Sequence, residues 1–206
     1  MDKLSKLLTI ISMLVSIVLA FQSFNLNKQT FKMNRQIQND KIKSQANKVA
    51  LWKISEPEKC KEKGNNLRKN GKFPVYFSIK NSSDLPIYDV VVLDVSSKQD
   101  VNLNNITKLY DLGRFRADSE EQHFTYSKNV PPGTEDGFLN GRGNGMGQTD
   151  DFVYFFRDAQ GITWLRSNNG ELEKVSSQNV MYDILNKIGI NRADLSVFDN
   201  FGNDDF

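Results

Sequence analysis

The sequence predicts a mainly β protein carried on an N-terminal helix. Three observations predict it. A charge-free apolar run opens the chain, a lysine- and glutamine-rich stretch without Pro or Gly follows, and short β-branched and aromatic segments separated by turn residues fill most of the rest. Across 206 residues, hydrophobic content is 38% and charged content 25%, so apolar residues are concentrated in a few segments. Residues 24–72 hold 13 basic and 4 acidic side chains, a balance of +9, and residues 73–206 hold 12 and 20, a balance of −8. That asymmetry predicts an anionic neighbour for the first part.

The apolar run "LLTIISMLVSIVLAFQSFNLN" covers 21 residues, Leu7 to Asn27. As a helix it spans roughly 31 Å, about the thickness of a bilayer core. Lys3 and Lys6 would suit a signal peptide, but Leu19-Ala20-Phe21-Gln22-Ser23 lacks the small-residue pattern of a cleavage site. Residues 1–27 are therefore expected to be an uncleaved transmembrane anchor, making a single-pass protein of the cell membrane. Basic residues flank both ends, and the excess continues downstream. This tips the soluble part toward the cytoplasm by the positive-inside rule.

Residues 28–48 read as a basic helical stalk, with Ile42, Ala46 and Val49 at helical spacing. Together with the next segment they make a candidate anionic-surface site of Lys41, Lys43, Lys48, Lys59, Lys61, Lys63, Arg68, Lys69 and Lys72. Anionic lipid is one ligand class, at about 1 kcal/mol per cation near the surface. Nucleic acid is a second partner class, weakened by the lack of aromatic residues for base stacking in this stretch. Glu56 to Lys72, "EPEKCKEKGNNLRKNGK", reads as a charged loop with turn signals.

Strands are expected at Val49 to Ile54, at Lys72 to Asn81 and at Ile87 to Val95. Between the last two, Asn81-Ser82-Ser83-Asp84 makes a polar turn and Pro86 a strand start. In "IYDVVVLDV", Tyr88, Val90 and Val92 face one side and Ile87, Val91, Leu93 and Val95 the other, with Asp89 and Asp94 at wet positions. Further strands are read at Lys108 to Phe115, around Gln122 to Tyr126, and at Phe152 to Arg157 and Ile162 to Ser167. The last two form a hairpin around Asp158-Ala159-Gln160-Gly161, and Val130 to Thr134 supplies another turn. Short strands with turn signals make residues 49–175 an antiparallel β-sandwich of immunoglobulin-like type. Its usual disulfide is excluded, because Cys60 is the one cysteine.

"QANKVALW", "NSSDLPIYDVVV", "VPPGT" and "FRDAQGITWLRSNNGEL", in that order behind one anchor, resemble uncharacterised bacterial single-pass membrane proteins with an immunoglobulin-like β-sandwich domain. The resemblance implies a sandwich on a membrane stalk and brings no catalytic residues with it.

Candidate chemistry is sparse. "GRGNGMG", Gly141 to Gly147, fits neither dinucleotide nor Walker spacing and reads as a loop. One His and one Cys cannot make a His/Cys zinc site. His123 beside Phe124 reads as a structural or solvated histidine. Asp150 and Asp151, with Asp158 or Asp94, are the acids available for Mg²⁺, but neighbours on a strand point to opposite faces. No catalytic, cofactor or metal residues are assigned, and no enzyme activity is expected.

Residues 176–206 read as a short C-terminal helix and an acidic tail. Val180, Met181, Ile184, Leu185 and Ile188 share one helical face, with Gly189 as cap. Phe198, Phe201 and Phe206 among the terminal acids form a candidate partner-docking tail. This tail is faintly similar to the acidic tips of bacterial single-stranded-DNA-binding proteins. The expected function is a membrane-anchored protein-interaction or scaffolding module. Its alternatives are a membrane-tethered nucleic-acid-binding protein of phage defence or a mobile element, and an enzyme acting on the envelope or on lipid.

Overall fold

The computed structural model describes residues 2–112, 123–141 and 149–197. The chain forms two compact units, Met1–Ser44 and Gln45–Phe206. The first is one helix, α1 (Asp2–Lys43), so the apolar run continues without a break into the basic stretch as far as Lys43, while residues 45–48 of the expected stalk belong to the second unit. Its Leu7–Lys43 part is long and apolar enough to cross a membrane. At 42 residues α1 is roughly 63 Å long, about twice a bilayer core. No Pro or Gly interrupts it. Ser16 and Thr30 return their hydroxyls to the Ser12 and Leu26 carbonyls, 2.9 Å each, so neither hydroxyl is left without a partner. Leu14, Ile17, Leu19 and Phe21 are all more than half exposed, an apolar surface that water does not favour.

The second unit is mainly β. Among the described residues eight strands follow in order: β1 (Val49–Ile54), β2 (Pro74–Asn81), β3 (Ile87–Ser96), β4 (Phe124–Val130), β5 (Gly133–Asn140), β6 (Asp150–Arg157), β7 (Thr163–Arg166) and β8 (Leu172–Val175). They make two antiparallel sheets, ordered β1-β2-β5 and β4-β3-β6-β7-β8. The sheets meet through Phe77 and Phe152, edge to face at 5.6 Å, and through the Tyr154 hydroxyl donating to the Val49 carbonyl at 3.3 Å. Phe77, Phe155, Phe156 and Trp164 are fully buried, each worth about 1.5–3 kcal/mol or more against exposure. Pro131 and Pro132 stand between β4 and β5. Neither has an N–H to close a hairpin, and the chain changes sheet there: β4 pairs with β3 and β5 with β2.

The turn before β3 is knit by side chains. Asn81 Nδ2 donates to the Leu85 carbonyl at 2.8 Å, and the Ser83 N–H reaches Asn81 Oδ1 at 3.1 Å. Gln45, the first residue of the unit, donates Nε2 to the Pro86 carbonyl at 3.1 Å and accepts from the Ala159 N–H at 3.0 Å. It thereby ties the start of the sandwich to both the β2–β3 and the β6–β7 turns.

Each sheet also has a helix near it. α3 (Gln178–Lys187) lays Met181, Ile184 and Leu185 into a cluster with Val91, Leu93, Phe155 and Leu165 of the five-stranded sheet. Ser177 caps it by accepting from the Val180 N–H at 3.3 Å. α2 (Lys61–Lys69) and the 3₁₀ turn Glu58–Cys60 enclose a smaller cluster, Cys60, Tyr76 and Phe138 with Ile54 and Leu67, against the three-stranded sheet.

Four expectations are corrected. The charged segment 56–72 is not a loop throughout, because Cys60 and Leu67 give it an apolar side to bury as α2. Its Gly64 is required: a Cβ there would lie 2.0 Å from the Tyr76 hydroxyl. The strand read from Lys108 is a 3₁₀ helix over Ile106–Leu112, with Ile106 and Leu109 three apart and both buried, the period of that helix; residues 113–115 lie outside the described residues. Asp89 and Asp94 are not wet but buried, at 8% and 0% exposure. Strand β3 is also not regular, since its register with β6 shifts between Tyr88 and Val91.

Candidate functional site

A cleft of the second unit has a volume of about 570 Å³. It lies where the end of β1 (Lys53, Ile54) and Ser55-Glu56 meet the start of β2, with Arg68 of α2 and Asp150 of β6 on its walls. Its shape depends on how α2 ends. Gly71 takes φ 74° and donates to the Arg68 carbonyl at 3.0 Å, and the Lys72 N–H returns to Leu67 at 3.0 Å. The chain then enters β2 with Phe73 63% exposed on the rim. The Phe73 backbone is held on both sides: its N–H donates to Asn140 Oδ1 at 3.1 Å, and its carbonyl accepts from the Gly141 N–H at 2.8 Å.

One wall is a three-membered polar cluster. The Tyr76 hydroxyl donates to Glu56 Oε1 at 2.6 Å, and Arg68 donates to that same oxygen at 2.8 Å. A second Arg68 nitrogen reaches the Tyr76 oxygen at 3.2 Å. The Arg68 hydrogen bond, then that of Tyr76, holds the Glu56 carboxyl below the usual range. Burial, then the bond to Glu56, pushes the Tyr76 hydroxyl up to about 12. Opposite, Lys53 lies 3.6 Å from the buried Asp150 carboxylate. Lys72 has no described carboxylate partner. Among the described residues the cleft thus offers one ammonium outside any ion pair, beside an exposed ring, with Ile54, Pro74 and Val75 as apolar lining.

At this same end of the sandwich His123 is buried. Its Nδ1 lies 2.7 Å from the Asn140 carbonyl, so that nitrogen carries the proton, and Asp94 Oδ2 is 3.6 Å away. The contact ties the residue before β4 of one sheet to the end of β5 of the other.

The predicted cations do not act as a single set. Lys41 and Lys43 occupy the last turn of α1, where cations favour the helix dipole, and Lys48 is exposed in the 3₁₀ turn Ala46–Lys48. Lys59 pairs with Asp136 at 3.6 Å, Lys61 with Glu58, and Arg68 with Glu56. Lys63 lies on α2, Lys69 is exposed there, and Lys72 and Arg68 line the cleft. Phe198, Phe201 and Phe206 lie outside the described residues, as does the glycine-rich stretch beyond Gly141. The acids weighed for Mg²⁺ are dispersed: Asp158 binds the β6–β7 turn, Asp94 faces His123, and Asp150 faces Lys53. Among the described residues no cluster of three or more His, Cys, Asp or Glu is placed to hold a metal.

Sequence reasoning missed the Glu56–Arg68–Tyr76 cluster. Its members are 12 and 8 residues apart across a helix and a turn, and no local pattern announces them. Comparison of the chain with protein families, with curated proteins and with solved structures finds no match.

Proposed function

We propose that the chain is a single-pass membrane protein whose immunoglobulin-like domain is an interaction module, docking a protein partner at the Phe73 cleft. The strand order supports the fold assignment. With β1 to β7 read as A, B, C, C′, E, F and G, the sheets become A-B-E and C′-C-F-G, an immunoglobulin-like order that lacks strands D and C″ among the described residues, and β8 extends the second. The apolar, unburied surface of α1 supports the anchor, and the basic excess past it supports a cytoplasmic sandwich.

The observation that carries the docking reading is Phe73, an aromatic ring 63% exposed on the rim of a 570 Å³ cleft whose Lys72 is uncommitted. Exposed aromatics over a concave site are the anchors of protein interfaces. Strand β1, which pairs only with β2 among the described residues, runs into the cleft and carries Trp52 at 42% exposure. The partner's chemistry follows: an extended segment with an apolar side chain for Phe73 and a carboxylate for Lys72. Engagement of Lys59, Lys61 and Arg68 by the domain's own acids favours such a partner over a polyanion.

A photo-crosslinking residue at position 73 of the membrane-embedded protein tests this. A discrete crosslinked protein is expected from position 73 and not from the exposed Leu85, and Lys72→Glu should remove it without changing the melting temperature. Equal crosslinking at 73 and 85, or persistence in Lys72→Glu, would overturn the reading.

A further inference from the structure

We infer that a second cleft, on the outer side of the five-stranded sheet, binds a small phosphomonoester. This cleft, of about 400 Å³, is lined by Asp89, Tyr126, Lys128, Arg157, Gln178, Tyr182, Arg192 and Leu195. Asp89 organises it. Among the described residues it is the one non-glycine at positive φ, 50°, and it sits where the β3–β6 register shifts. Such a backbone is uncommon for a residue with a side chain, and bulges of this kind re-aim side chains near sites.

The re-aimed carboxylate is buried and collects four donor contacts. Arg157 gives Nε and Nη2 to Oδ2, both at 2.9 Å, and Gln178 gives Nε2 to that oxygen at 2.8 Å. Tyr126 donates its hydroxyl to Oδ1 at 3.1 Å. The Arg157 guanidinium is thereby fixed, with its carbon also 5.2 Å from the centre of the Tyr88 ring, and its Nη1 is outside every described bond. The Tyr182 hydroxyl accepts from Gln178 at 3.0 Å, which leaves its own proton to give. Arg192 lies 4.5 Å from the centre of the Tyr182 ring. Neither Lys128 nor Arg192 belongs to a described ion pair.

The lining therefore holds three cations against one carboxylate, a formal +2. Arg157 is paired with Asp89, so Lys128 and Arg192 carry the uncompensated charge, which an anion in the cleft offsets. A phosphomonoester, close to a dianion at neutral pH, matches the charge, and guanidinium forks match its oxygens. The Tyr126 and Tyr182 rings and Leu195 offer a wall for its carbon part, and the volume lies in the range of small-molecule sites. The ester can come from a soluble metabolite or from a lipid headgroup of the same chemistry.

Calorimetry on the full chain in phosphatidylcholine nanodiscs tests this with ribose 5-phosphate as probe and ribose as control. Saturable binding of ribose 5-phosphate alone is expected. Arg192→Gln and Lys128→Gln should each weaken it about tenfold or more, the loss of one charge-assisted hydrogen bond, with the melting temperature unchanged. Both are exposed and lie outside the Asp89 bonds, so little loss of stability is expected from either. Arg157→Gln serves as a third variant, read only if the protein stays folded. No saturable binding at millimolar ribose 5-phosphate, or equal affinity in the Lys128→Gln/Arg192→Gln double variant, would overturn the proposal. Nanodiscs containing phosphatidic acid separate the sources: displacement of the probe assigns the site to a lipid headgroup, and undiminished binding assigns it to a soluble phosphoester.

Discussion

Tyr76 joins the small core under α2 to the wall of the Phe73 cleft. Its ring packs with Cys60 and Phe138, while its hydroxyl is tied to Glu56 and Arg68. Burial and that bond push its ionisation from 10.0 up to about 12, so the folded chain holds this proton more tightly than the unfolded chain. The corresponding stability is complete below pH 10 and is lost as pH rises through about 12. Tyr154, buried between the sheets, is raised for the same first reason and acts with the same sign. Tyr76→Phe should therefore make the alkaline loss of stability shallower without abolishing it, as followed by near-ultraviolet circular dichroism of the protein in detergent. An unchanged alkaline slope would mean that the hydroxyl is not held as described. Glu56 has the opposite sense. Its lowered carboxyl stabilises the fold above its ordinary value of 4.5, and that contribution is lost as pH falls through the lowered one.

The β6–β7 hairpin shows how one element is both announced and completed. Asp158-Ala159-Gln160-Gly161 between two aromatic-rich segments was readable as a turn, because an aspartate opens it and a glycine closes it. Its internal fastening was not readable. Asp158 is wholly buried and accepts from the Gln160 and Ile162 amides at 3.0 and 2.8 Å and from the indole of Trp164 at 2.8 Å. Asp158→Ala strands a buried indole N–H and two turn amides, and should cost about 3 kcal/mol or more. Thermal or urea unfolding of the full chain would measure it. A change under about 0.5 kcal/mol, the range of ordinary surface substitutions, would show that the turn is held by other means. At α2 the element itself was hidden. Its apolar residues are few, and its helix is favoured only because Tyr76, Phe138 and Ile54 are there to receive them.

For the molecule as a whole, the proposed anchor in α1 is testable by substitution. Ile17 stands in the apolar part of α1, and a lysine near the centre of a spanning helix costs about 2.5–3.5 kcal/mol of insertion. Ile17→Lys should release a large share of the protein from carbonate-washed membranes, whereas the parent chain stays in the pellet. Full retention of the variant would argue against a span centred there. Sidedness needs a thiol placed on the surface, since Cys60 is 1% exposed and unsuited to labelling from either side. Lys98→Cys in a Cys60→Ala background supplies one. With a cytoplasmic sandwich, an impermeant maleimide should label it only after the cells are opened, and labelling of intact cells would reverse the orientation.

The apolar run from Leu7, the strands at β1, β2, β3, β6 and β7, and the polar turn before Pro86 were determined by the sequence itself. Each rests on a local pattern: length and lack of charge, β-branched enrichment, or a proline that cannot donate. The tertiary structure decided which sheet each strand joins, that Asp89 and Asp94 are buried, and that Lys59, Lys61 and Arg68 face the domain's own acids. It also decided both clefts. Glu56 meets Tyr76 across 20 residues, and Asp89 meets Arg157 across 68 and Gln178 across 89. A carboxylate is buried only where donors converge on it, and convergence over such separations is set by strand pairing and helix packing, which no short window of sequence contains.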